Sequence, residues 1–177
     1  MFKQVDILAK FIESPEKDYH LRELARAYRL SPATVKAKLE PSVKAGVVNK
    51  AKLRGNLLYT AKRESIEFKK LKAAHNIKEL EGSGLMDFLK KEFYDPVIIL
   101  FGSAARGEDT KGGDFDLFVL TPLKKNVDTL KYSKLLDRDI QLFVMDKKEF
   151  ENTKKRSKEL ANNILNGTRL NGYLEVF

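Results

Sequence analysis

Cysteine is absent from the 177 residues of this sequence, which excludes disulfide bonds and thiolate metal sites. The absence also suits a reducing compartment, so we expect a cytoplasmic protein. Long hydrophobic runs are missing too. The longest, "VIILF", is far too short to span a bilayer, and the first twenty residues lack the continuous apolar segment of a signal peptide. We therefore expect a soluble protein with no membrane partner.

Positive charge is concentrated in the first part of the chain. Residues 1–80 contain 18 lysines and arginines against 9 acidic residues, whereas residues 81–177 contain 16 of each. Such a basic segment is typical of proteins that bind a polyanion, although lysine-rich surfaces also serve solubility. The charge indicates an anionic partner for the first 80 residues and a different role for the rest.

The segment "EGSG" at 81–84 coincides with this change in charge and predicts a domain boundary. We expect one domain at 1–80 and a second at 81–177. Residues 63–80 show a mostly helical pattern that fits either a linker helix or a helix that forms a homodimer. Its apolar residues are Ile66, Phe68, Leu71, Ile77 and Leu80.

The beginning of the chain fits three short helices. Apolar residues recur at helical spacing from Val5 to Ile12, and two further helical patterns follow. Ser31 is placed to cap the third helix and Pro32 fits its first position, while Pro41 is expected to end or bend it. The second and third helices, joined by about three residues, predict a helix-turn-helix.

The second part of the chain alternates between helical and β-rich patterns. Three apolar runs are predicted as strands: "PVIILF", "DFDLFVL" and "DIQLFVM". Helices are predicted at "LMDFLKKEF", "NVDTLKYSKLLD" and "KKEFENTKKRSKELANNILN", and the tail after Gly167 fits an edge strand or a docking segment. The alternation predicts a small mixed sheet with helices packed on it, within a chain of the α+β class.

Two aspartates lie one residue apart in the second of these strands. Side chains alternate along a strand, so Asp114 and Asp116 project from the same side, where their charges repel. A divalent cation resolves the repulsion, and Mg²⁺ is commonly held by one or two carboxylates plus substrate phosphates. Asp139 opens the next strand and supplies a third carboxylate if the two strands are neighbours, although it or Asp137 also fits a turn.

A small-residue turn follows the first strand. Gly102 lets a backbone approach a phosphate closely, and the hydroxyl of Ser103 can donate a hydrogen bond to a phosphate oxygen. The turn and the acids together predict a site for a nucleotide and its metal ion.

The segment "GSAARGEDTKGGDFDL" resembles the motif of the minimal nucleotidyltransferases, small members of the DNA polymerase beta superfamily. The match covers roughly residues 95–145, and its specificity comes from several residue types at fixed spacing. The resemblance implies that Gly102 and Ser103 bind a nucleoside triphosphate and that Arg106 and Gly107 match the Arg-Gly element of the motif.

The same resemblance implies a metal site. Asp114 and Asp116 would hold Mg²⁺ or Mn²⁺, and Asp139 would be the third acid. Gly113 stands where the family commonly has serine, so a helper hydroxyl is missing from that position. The implied activity is the metal-dependent transfer of a nucleoside monophosphate from a triphosphate such as ATP. The chain has no room for template-holding domains, so a protein or small-molecule acceptor is expected.

The first 80 residues are similar to a winged helix-turn-helix of archaeal and bacterial regulators. "LRELARAYRLSPATVKAKLE" is similar to their helix-turn-helix, and "KAKLRGNLLYT" to their basic hairpin. Winged helices bind double-stranded DNA or serve as protein docking modules. The expected DNA contacts are Ser31, Ala33, Thr34, Lys36 and Lys38 on the third helix and Lys50, Lys52 and Arg54 on the hairpin.

Two functions therefore stand side by side. The first is a nucleotidyltransferase coupled to DNA binding. The second is a DNA-binding transcriptional regulator whose second domain senses a nucleotide or dimerises. Some minimal nucleotidyltransferases act as antitoxins that modify a partner toxin, which would combine the two.

Overall fold

The structure, a computed structural model, describes residues 7–175, so Val5 of the predicted first helix lies outside the described residues. The chain divides into two compact units, Met1–Lys72 and Ala73–Phe177. This division falls inside the helix α4 (Ile66–Gly82). The boundary predicted at 80/81 from composition lies further along the same helix and stays a prediction.

The first unit combines short helices with a small antiparallel sheet. Its elements before α4 are α1 (Ala9–Glu13), β1 (Tyr19–His20), α2 (Leu21–Tyr28), α3 (Pro32–Lys44), β2 (Val48–Leu53) and β3 (Asn56–Ala61). The strand order is β1-β3-β2. Phe11, Leu24, Leu39 and Tyr59 are fully buried in its core, so one side chain from each of α1, α2, α3 and β3 meets there.

The start of α3 follows the prediction, and of the two effects predicted for Pro41, the end of the helix does not occur. Ser31 accepts a hydrogen bond from the backbone N–H of Thr34 at 3.1 Å, and Pro32 is the first helical residue. The helix runs through Pro41 to Lys44, so Pro41 does not end it. One proline removes a single intrahelical donor, and the N–H of Ala45 still closes the last turn on the carbonyl of Pro41 at 2.8 Å.

The predicted hairpin is confirmed. β2 and β3 pair along their whole length and are joined by Arg54 and Gly55. Both residues have positive φ, 46° and 81°. A two-residue hairpin turn of type I′ requires positive φ at both of its residues, and glycine adopts this conformation without steric cost.

The second unit is a four-stranded mixed sheet with helices packed on it, as predicted. After α4 its elements are α5 (Leu85–Phe93), β4 (Val97–Phe101), α6 (Gly102–Arg106), β5 (Phe115–Leu120), α7 (Leu130–Leu136), β6 (Ile140–Met145), α8 (Lys147–Arg156), α9 (Lys158–Leu165) and β7 (Thr168–Asn171). The strand order is β6-β5-β4-β7, in which β5 and β6 are parallel and the other neighbours antiparallel. The tail after Gly167 forms the edge strand β7.

The single long helix predicted after β6 is wrong, because the structure has two. Ser157 leaves the helical conformation (φ −134°, ψ 71°), and α9 begins after it. Phe150 of α8 and Ala161 and Ile164 of α9 are all buried. Their spacing matches one continuous helical face, so periodicity alone does not reveal the break.

The apolar residues of α4 are largely used inside the chain. Phe68 is buried in the core of the first unit and Leu80 in that of the second. Ile66 remains 65% exposed. Phe68 and Leu80 are therefore not available to a homodimer interface. The homodimer itself stays a prediction. Within residues 7–175, no helix has both the length and the apolar character needed to cross a membrane.

Candidate functional site

The last residue of β4 and the first residues of β5, the two central strands of the second sheet, lie side by side. The two strands are antiparallel, and Phe101 at the end of β4 lies opposite Asp116. Gly102 and Ser103 follow Phe101 directly as the first residues of α6. The topology therefore brings the Gly-Ser turn and the acid pair to the same place.

Gly102 leaves room for a carboxylate. Its φ is +73°, and a Cβ at this position would lie 2.2 Å from Oδ2 of Asp116. No side chain fits at that distance, so Asp116 holds its position only because residue 102 is glycine.

Gly102→Ala is therefore expected to displace Asp116 and to abolish Mg²⁺-dependent nucleotide binding while the chain stays folded. Gly112→Ala is a matched control, since Gly112 has the same φ of +73° but no atom within 4 Å of its Cβ position. The control carries the same backbone strain, about 1 kcal/mol, without the clash. Calorimetric titration with Mg²⁺-ATP and thermal melting of both variants measure the difference. Equal nucleotide affinity in the two variants would contradict the assigned role of Gly102.

The acid pair is half-buried and electrostatically coupled. Burial raises the pKa of Asp116, the neighbouring charge of Asp114 raises it further, and the positive charge of Arg106 opposes both. Mg²⁺ and Mn²⁺ prefer oxygen ligands such as carboxylates. Asp114 and Asp116 thus fit a hard divalent cation, which would relieve their repulsion.

Arg106 is close enough to the pair for its positive charge to lower the pKa of Asp116. Its Nε donates to Oε2 of Glu108 at 2.7 Å, and half of its side chain is exposed. The adjoining Gly107 has φ 66° and ends α6. The Arg-Gly element thus lies near the acids, at the end of the helix that follows β4.

Asp139 is not gathered with the pair into a three-acid group. Its side chain is exposed before the start of β6, and its backbone carbonyl accepts from the N–H of Phe115 at 2.8 Å. In residues 7–175 no three acidic, histidine or cysteine side chains are grouped to hold a metal ion. Its metal role stays a prediction.

A glutamine that sequence reasoning missed lies beside the pair. Gln141 is directly opposite Asp116 in the parallel pairing of β5 with β6. Its Nε2 donates to Oδ2 of Asp114 at 2.5 Å. A signal was present in the sequence: "DFDLFV" at 114–119 and "DIQLFV" at 139–144 are alike, and the structure aligns them in register. Gln141 is therefore the counterpart of Asp116 on the neighbouring strand.

A buried arginine holds the loop that carries Asp114. Nε of Arg138 donates to the carbonyl of Gly113 at 2.5 Å, and one terminal nitrogen lies 3.0 Å from Oδ2 of Asp109. The guanidinium stacks on the ring of Phe115, 3.7 Å from its centre. The side chains of Arg138 and Asp109 are 9% and 2% exposed, so this ion pair is shielded from water.

Asn76 of α4 completes the network. Its Nδ2 donates to Oδ1 of Asp109 at 2.9 Å and to the carbonyl of Ala104 at 2.8 Å, while its Oδ1 accepts from Arg138 at 3.1 Å. Every polar atom of this amide is used. The network links α4, α6 and the loop before β5, and nothing in the sequence pattern signals residues so far apart.

The residues expected to contact DNA are all in the first unit. Ser31 and Thr34 bond each other, with their hydroxyl oxygens 2.8 Å apart, so both help to begin α3. Lys50 pairs with Glu40 at 3.1 Å. The remaining predicted contacts are exposed: Ala33, Lys36, Lys38, Lys52 and Arg54.

Comparison with protein families gives one match in this region. The family model described as a nucleotidyltransferase domain matches residues 83–171, half of the chain. The matched range contains the turn, the acid pair and all four strands of the second unit. None of the curated proteins compared with the chain matches it.

Proposed function

Because the chain belongs to the nucleotidyltransferase domain family, we propose that it transfers a nucleoside monophosphate from a triphosphate, ATP in the first instance, to a hydroxyl group of a protein or small molecule. One observation carries the proposal: Asp116 in β5 and Asp114 just before it are close enough for their charges to interact, and a Cβ at Gly102 would lie 2.2 Å from Oδ2 of Asp116. The two carboxylates would hold Mg²⁺ or Mn²⁺.

The chemistry is an in-line displacement at the α-phosphorus. The acceptor oxygen bonds to the α-phosphorus, the bond from that phosphorus to the oxygen bridging to the β-phosphate breaks, and pyrophosphate leaves. A bound divalent cation withdraws charge from the phosphate oxygens. Ser103 and the backbone at Gly102 bind the triphosphate, and Arg106 balances its negative charge. Asp139, exposed at the start of β6, positions the acceptor and takes its proton.

A pair of labelled substrates tests this reaction. The full chain and the protein encoded beside it are incubated with Mg²⁺ and with ATP labelled at either the α- or the γ-phosphate. Label from the α-phosphate alone should appear on the acceptor, with an increase of one adenylyl group by mass spectrometry. Transfer of the γ-label would indicate a kinase instead. The Asp114→Asn, Asp116→Asn double variant is the control for contaminating enzymes.

A second function, DNA binding by the first unit, is favoured by its charge. The 18 basic residues among positions 1–80 exceed the acidic ones by 9. We propose that α2 and α3 form a helix-turn-helix, that β2 and β3 form a basic wing, and that the chain regulates transcription by binding double-stranded DNA. Lys36 and Lys38 follow the start of α3, while Lys52 and Arg54 lie on the hairpin. In this proposal Ser31 supports α3 as its cap, and Lys50 is partly neutralised by Glu40.

DNA affinity of the full chain is expected to fall linearly with salt on a logarithmic plot, with a slope of about 0.9 per phosphate contacted, because bound counterions are released. Replacing four exposed cations of the proposed helix-turn-helix and wing by glutamate should weaken binding by orders of magnitude. These four are Lys36, Lys38, Lys52 and Arg54. The control reverses four exposed lysines of the second unit: Lys147, Lys148, Lys155 and Lys158.

Fluorescence anisotropy with duplex DNA at several salt concentrations measures both variants. The two sets of substitutions change the net charge equally. Equal loss of affinity in both would show that net charge, rather than the proposed wing and helix, attracts the DNA. Salt-independent binding, or none by the unaltered chain, would favour a protein-docking role for the first unit.

A further inference from the structure

The position beside the acid pair is occupied by an amide. Gln141 is paired in register with Asp116, and its side chain reaches Asp114 rather than solvent alone. The atom that faces the carboxylate is a nitrogen, because an ionised carboxylate only accepts hydrogen bonds and only the amide NH₂ donates. The polar group beside Asp114 and Asp116 is therefore the neutral amide of Gln141, which acts as a donor.

This donor has two physical consequences. It occupies one lone pair of Oδ2 of Asp114 and holds that carboxylate in place, as outer partners of metal ligands do. The nitrogen that faces Asp114 cannot ligate a cation, and the neutral amide adds no negative charge to those of Asp114 and Asp116. A second cation needs further protein oxygen beside the pair, and no three-acid group exists in the part of the chain that the structure describes.

We propose that Gln141 is a positioning residue that orients Asp114 and restricts the site to one divalent cation per bound nucleotide. The proposal rests on the proposed nucleotide site, and it assigns no cation to Asp139. The nucleotide is bound through a single cation. Nucleotidyl transfer is slow because no second cation activates the acceptor oxygen.

The same geometry predicts how the restriction is lifted. Gln141→Glu preserves the shape of the side chain and replaces the donor nitrogen by oxygen, which places three carboxylates together. Without metal their repulsion destabilises the second unit. With metal, a second cation binds and offsets that repulsion. Gln141→Leu removes the hydrogen bond without adding charge and isolates the positioning role.

Counting bound Mn²⁺ tests the proposal. Free Mn²⁺ is measured by electron paramagnetic resonance while the full chain is titrated in the presence of saturating α,β-methylene-ATP, which cannot transfer its nucleotide. The unaltered chain should bind one Mn²⁺ per nucleotide, and Gln141→Glu two. Gln141→Leu should still bind one, with affinity weakened by about 10- to 100-fold. Asp139→Asn should match the unaltered chain.

Mn²⁺ should also raise the melting temperature of Gln141→Glu by more than that of the unaltered chain, since only the variant needs the second cation to offset its repulsion. If Gln141→Glu fails to fold, the counts for Gln141→Leu, Asp139→Asn and the unaltered chain still decide.

Three outcomes overturn the inference alone. They are two Mn²⁺ ions on the unaltered chain, a single ion on folded Gln141→Glu, or unchanged affinity in Gln141→Leu. Failure of the folded, unaltered chain to bind the nucleotide at all would overturn the proposed function together with this inference.

Discussion

Replacing Asp114 and Asp116 together by asparagine is expected to abolish Mg²⁺-dependent ATP binding and to leave the melting temperature unchanged or higher. Asparagine preserves shape but removes both negative charges, so the cation loses its two anionic protein ligands. The pKa of Asp116 is raised in the folded chain by burial and by Asp114. A raised carboxyl pKa means that the fold is less stable once pH exceeds it, so the ionised pair costs stability near neutral pH.

Calorimetry and thermal melting measure these two effects on the same samples. Asp87→Asn is the control, since Asp87 is an exposed acid of α5 away from the acid pair in sequence. Unchanged ATP affinity in the double variant would reject the metal site. A lower melting temperature would instead mean that the carboxylates make stabilising contacts that outweigh their repulsion.

Arg138→Met is expected to lower the free energy of unfolding of the second unit by about 3–5 kcal/mol, the usual cost of leaving one partner of a buried ion pair uncompensated. Asp109 would remain buried without its cation, and the carbonyl of Gly113 would lose its donor. The loop that carries Asp114 would also be released, so nucleotide affinity should fall.

Urea denaturation followed by circular dichroism measures this loss. Lys124→Met is the matched control, because Lys124 pairs with Asp146 and Glu149 while 59% exposed, and it should change stability little. Adding Asp109→Asn to Arg138→Met removes the orphaned charge and should restore part of the stability. If the single and double variants are equally unstable, packing of Arg138 on Phe115, rather than its charge, would explain the loss.

Local patterns were sufficient wherever a feature depends on neighbouring residues. Ser31 and Pro32 begin α3 as predicted, because capping involves only the first helical turn. The hairpin turn at Arg54 and Gly55 likewise depends on two residues with positive φ. The pattern failed at Ser157, where the helical period of the buried residues continues across a break that the sequence does not mark.

By itself the sequence determined the alternation of strands and helices in the second unit, the one-residue spacing of Asp114 and Asp116 at the start of β5, and the glycine turn that precedes them. These follow from periods of two and 3.6 residues and from the steric freedom of glycine. Only the tertiary structure decided what lies beside the acids. Gln141 comes opposite Asp116 through the pairing of β5 with β6, and Arg138, Asp109 and Asn76 meet across as many as 62 positions of sequence. Register and the burial of distant polar groups depend on how the whole unit packs, and a local pattern carries no record of them.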